Sequence, residues 1–122
     1  MFLPLLIAAE LAVAEPAIAD AAFADAKASA DAYEGSLTQR DRDALLDAQS
    51  RALSDAMLVC GPAKPSYPAF TVVQRIAADG SVERSWRNGD SPYAQCMERA
   101  LLSAHLPVAT GKAFSVSYEL TF

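Results

Sequence analysis

FSVSYELTF, Phe114–Phe122, alternates without interruption. Phe114, Val116, Tyr118, Leu120 and Phe122 fall on one side, and Ser115, Ser117, Glu119 and Thr121 on the other. A repeat of two with one apolar side describes a strand with one buried and one wet face. Such a strand must pair its backbone groups with something, because unpaired buried amides are costly. The fold therefore depends on which segments lie along its two edges.

Working back from that strand, Ser91 followed by Pro92 is an N-cap with proline at the first helical position. The helix it starts carries Tyr93, Met97, Ala100, Leu101 and Ala104 on one face and stops before Pro107. Before it, FTVVQRIAADGSVERSWRN holds two β-rich runs around Asp79-Gly80, a strong hairpin signal. GPAKPSYPA, with Pro62, Pro65 and Pro68, is an extended connector. Residues 60–122 thus read as strand, strand, helix, strand.

The front of the chain has a different composition. Ala19, Phe23, Ala26, Ala30 and Tyr33 share a helical stripe from Pro16 to Tyr33, ended by Gly35. Thr38, with Asp41 three residues on, starts a second helix that runs to about Val59. Its expected buried row is Leu46, Leu53 and Met57, with Leu45, Ala48, Ala52 and Ala56 beside it. The short break predicts an antiparallel helical pair. Residues 1–59 hold four bases against ten acids, and residues 60–122 six against five. The expected class is α+β: two N-terminal helices (residues 15–59), then a ββαβ domain (residues 60–122) with a three-stranded antiparallel sheet packed on one helix.

MFLPLLIAAELAVAEPA begins the chain with an apolar run and an A-x-A pattern, Ala12 to Ala14. It reads as a secretory leader, residues 1–14, leaving Glu15 as the new start. An Ala-rich helix in a cytosolic protein, or a start codon placed too far downstream, is the alternative. The run is too short for a permanent membrane anchor. Two cysteines in a small exported domain predict one bridge, Cys60–Cys96, against the alternative of two buried thiols. Leader and bridge together predict a periplasmic or secreted protein.

No residue set announces a reaction. His105 is the only histidine and sits at a helix end, where it can satisfy terminal carbonyls. No nucleophile, acid–base pair, metal-ligand set or phosphate cradle is evident. No catalytic residue, cofactor or metal is therefore expected. The net charge of −5 argues against a nucleic-acid partner. Arg75, Arg84 and Arg87 around Trp86 read as a strand exterior with a partly buried tryptophan.

RIAADGSV (Arg75–Val82), CMERALLSAHLP (Cys96–Pro107) and FSVSYELTF occur in the order and spacing of a TonB carboxy-terminal domain. Residues 60–122 resemble that family, and the cysteines are similar to those of its AgmX/PglI-type relatives. His105-Leu106 stands where the family has an aromatic residue, and Gln74 falls at a usually apolar strand position. The resemblance implies that the last strand pairs with the first hairpin strand, which is then central. It also implies that an extended peptide can add to the outer edge of the last strand, by β-augmentation. The candidate partner-binding edge is then Ser115, Ser117, Glu119 and Thr121. The function implied is a non-enzymatic periplasmic protein–protein interaction module of the cell envelope. Its partner would be a protein or extended peptide of the envelope, with a homodimer as a further option. The alternative class is a small secreted enzyme or enzyme inhibitor with a loop-built site.

Overall fold

The capping signals decide where the helices begin. In the computed structural model, which describes residues 21–122, the first helix (α1) occupies residues 21–36. The expected leader, Glu15 and the expected helix start at Pro16 lie outside the described residues. The Thr38 hydroxyl accepts the Asp41 N–H at 3.2 Å and starts α2, Gln39–Cys60. Gly61, at φ 89°, ends it, and its N–H returns to the Met57 carbonyl. The Ser91 hydroxyl accepts the Ala94 N–H at 3.1 Å and starts α3, Pro92–Leu101.

The strands are β1 (Phe70–Ile76), β2 (Val82–Asn88) and β3 (Phe114–Leu120), in the order β2-β1-β3. Both pairings are antiparallel, with Val73 opposite Trp86 on one side and Ser117 on the other. Asp79 shapes the hairpin by accepting both the N–H and the hydroxyl of Ser81. Gly80 takes φ 92° there, and a Cβ on it would lie 2.6 Å from the Leu106 carbonyl oxygen. Chain and hairpin meet again after α3, where the Leu106 N–H bonds to the Gly80 carbonyl.

Strand alternation separates two apolar faces. Phe70, Val72, Ile76, Val116 and Tyr118 share a core with Tyr93, Met97 and Leu101 of α3 and with Leu45 and Ala56 of α2. Val73 faces the other way, against Ala26 and Ala30 of α1, with Phe23 and Trp86 at the margin. The α+β architecture is the expected one, and the front helices are part of it. α2 lies beside α3 on one face of the sheet, while α1 crosses the other. The Cys60–Cys96 disulfide, with Cα atoms 5.9 Å apart, ties the end of α2 to α3.

Three local expectations need correction. On α2 the buried residues are Leu45, Gln49 and Ala56, while Leu46 is 53% exposed. Both rows are apolar enough to turn inward, and packing against α3 and β3 selects the Leu45 row. α3 ends at Leu101, so Ala104 follows the helix in a turn. Leu120, expected in the core, is only partly buried at the end of β3.

Gln74, fully buried, has a structural use at its unusual position. Its side-chain amide donates to the Leu101 carbonyl at 2.9 Å, adding to the bond that this carbonyl accepts from the Ala104 N–H at the end of α3.

Candidate functional site

At Ser117 the outer edge of β3 is already engaged. The Ser117 N–H donates to the Glu34 carboxylate at 2.8 Å, and the Gln49 side-chain amide donates to the Ser117 carbonyl at 3.0 Å. Both backbone groups of Ser117 thus point away from β1, as the alternation of an antiparallel ladder requires. Glu34 comes from the last turn of α1 and Gln49 from the middle of α2. The two front helices, on opposite faces of the sheet and not packed as the expected antiparallel pair, therefore straddle the edge with two side chains. Tyr33 stacks on Phe114 at 4.4 Å near the start of the strand. Lys27 pairs with Asp31 and reaches Glu119 at 3.0 Å on the other side of Ser117.

The four candidate edge residues are consequently in different states. Ser115 is 4% exposed, Ser117 is bonded to the front helices, Glu119 is exposed and paired with Lys27, and Thr121 is exposed beyond the strand end. They do not form one continuous open edge, because the acidic front helices reach over its first half. Between helices and strand runs a cleft of about 360 Å³ lined by Glu34, Leu37, Arg42, Leu46, Gln49 and Ser117. Arg42 donates to the Glu34 and Leu37 carbonyls, closing the end of α1.

Burial raises the Glu34 pKa, opposed by the Ser117 N–H and by the Lys27 charge. Lys27 is itself raised, first by its bond to Asp31. The carboxylate at the edge is thus held in a place that disfavours its charge.

The opposite edge belongs to β2. Ser117 faces outward, so Val116 and Tyr118 bond inward to β1, and Val73 and Arg75 of β1 turn to β2. That parity leaves Ser85 and Arg87 with outward backbone groups. Among the described residues no hydrogen bond reaches their amides from beyond the sheet. The Ser85 hydroxyl and the Arg87 guanidinium both bond Glu98 of α3, and Arg87 also bonds Asp90. Arg84 lies over the Trp86 ring, 4.9 Å from its centre, on the α1 side of the sheet. Arg75 stands near Glu83 on that side. The three arginines are divided between two faces and do not make one basic surface.

His105 is exposed, with its ring beside Gly80, and Ser81 pairs with it as an isolated bridge. No group of three or more His, Cys, Asp or Glu residues is gathered among the described residues. Among the same residues, no helix is long and apolar enough to cross a membrane.

Sequence reasoning missed Glu34, Gln49 and Lys27 as edge residues. Gln49 carried one usable signal: it is a polar residue four positions after Leu45, inside an apolar row. Glu34 carried none, since a carboxylate at a helix end looks solvated. Also missed was an aromatic cluster in which Tyr67 of the proline-rich connector stacks on Tyr93 and Phe122 meets both edge-on. No family model, curated protein or solved structure matches this chain.

Proposed function

We propose that the chain is a non-enzymatic protein–protein interaction module of the cell envelope. It receives an extended peptide by strand addition at the β3 edge. The observation that carries this reading is the pair of bonds at Ser117. Glu34 accepts from its N–H and Gln49 donates to its carbonyl, which are the two bonds a facing strand residue would make. A peptide backbone replaces both without changing the donor–acceptor pattern. Side chains yield more readily than a paired strand, because moving them breaks no ladder.

Two further observations support the setting. The Cys60–Cys96 bridge suits an oxidising compartment such as the periplasm. The last strand lies beside the first strand of the hairpin, with the helix between them in sequence, which fits a TonB-like origin.

The test uses peptides selected from a random library on the immobilised oxidised protein. Their affinity is then compared for wild type, Ser117→Pro and Glu34→Ala/Gln49→Ala. Proline at Ser117 removes an outward donor and leaves the bonds to β1 intact. Its binding should fall by about tenfold or more, the equivalent of one lost backbone bond. The double variant, with its edge uncovered, should bind more tightly than wild type. Equal affinity of folded Ser117→Pro and wild type would refute strand addition here.

A further inference from the structure

The second edge strand has a self-complementary sequence. Facing residues in an antiparallel pair must both bond outward or both not, so two copies of β2 can meet only in registers where a residue faces itself. With Ser85 on the two-fold axis, Arg84 faces the partner's Trp86 and Trp86 faces the partner's Arg84. Glu83 stands at the bulge beside Arg75, and Arg87 is matched by Glu98, so no like charges meet across the axis. A shift centred on Arg84 would set two guanidinium groups opposite each other, which is unfavourable.

The geometry of the β2 edge suits the Ser85-centred register. Arg84 already lies 4.9 Å from the centre of its own Trp86 ring, and both side chains project on the α1 side of the sheet. Pairing would give each ring a second guanidinium, a directly opposed cross-strand neighbour. On the other side of the sheet, Ser85 is small and turned into its bond with Glu98, leaving the axis uncrowded. Glu98 is itself matched by Arg87 at 2.6 Å. No proline interrupts β2, and its bulge lies at the Val82 end, away from the stretch from Ser85 to Asn88.

We infer that β2 is a dimer edge: two copies pair antiparallel about Ser85 to form a continuous six-stranded sheet. This surface is opposite the β3 edge, and its test does not depend on peptide binding. Sedimentation of the oxidised chain over a concentration series should show a reversible monomer–dimer equilibrium. Arg84→Glu replaces an exposed guanidinium and should weaken the dimer about tenfold or more, with an unchanged circular dichroism spectrum. Ser85→Pro should abolish it by removing the outward amide on the axis. Ser85→Cys should oxidise to a covalent dimer, because the two Cα atoms would lie about 5.5 Å apart. A chain that stays monomeric at the highest soluble concentration overturns the inference. So does a dimer indifferent to both Arg84→Glu and Ser85→Pro, or one in which Ser85→Cys fails to cross-link.

Discussion

Glu34 is a carboxylate kept half out of water so that it can hold one backbone amide. Burial raises its pKa above the ordinary value of 4.5, so the folded chain binds this proton more tightly than the unfolded chain does. Its contribution to stability is therefore fullest below pH 4.5 and declines as pH rises through the folded-state pKa. Glu34→Gln keeps an acceptor for the Ser117 N–H and removes the charge. Compared across pH, the melting temperature of wild type should fall relative to Glu34→Gln as pH climbs from about 4.5 toward neutrality. A wild type that instead gains on the variant over that range would show that the Ser117 and Lys27 interactions outweigh burial. Glu34→Ala, which leaves the Ser117 amide without its acceptor, should cost about 1–3 kcal/mol in urea denaturation at neutral pH.

At the scale of elements, α3 and β3 are joined by the deepest side chains. Met97 is fully buried among residues of both, whereas Leu120 sits at the end of its strand with part of its surface in water. Met97→Ala should cost about 2–5 kcal/mol, since it removes apolar contact and leaves a cavity. Leu120→Ala should cost less, in proportion to its smaller buried surface. Chemical denaturation of the two variants side by side checks the order, and equal losses would mean that the end of β3 is as deeply packed as its middle. The alternation in FSVSYELTF correctly assigned the apolar face of this strand to the core, but the other face is not wet throughout, because Ser115 is 4% exposed. It carried no information on how far burial extends along it, because that depends on the reach of α2 and α3 across the sheet.

Across the whole molecule, the disulfide fastens the front helices to the rest. It closes a loop of 36 residues in sequence separation between the end of α2 and the middle of α3. By loop-closure entropy such a crosslink contributes about 4 kcal/mol, acting chiefly on the unfolded chain. Cys60→Ser/Cys96→Ser should therefore lower the unfolding free energy by about that amount while keeping the same fold by circular dichroism. A double variant as stable as the oxidised protein would leave the bridge with no thermodynamic role. Leu45 and Ala56 of α2 belong to the same core as Val72 and Val116, so the helical front half and the ββαβ half share one core.

The sequence alone was sufficient for everything decided between near neighbours. Thr38 and Ser91 start helices because their hydroxyls meet amides three residues on. Asp79-Gly80 turns the hairpin because Asp79 binds Ser81 and glycine accepts a positive φ. The apolar face of β3 follows from alternation. The state of the edges was decided only in three dimensions. Glu34 and Gln49 lie 83 and 68 positions from Ser117, and no local pattern relates residues so far apart. Their meeting depends on which row of α2 turns inward and which face of the sheet α1 crosses. Leu45 and Leu46 are equally apolar, so the choice falls to the shape of the surface they pack against.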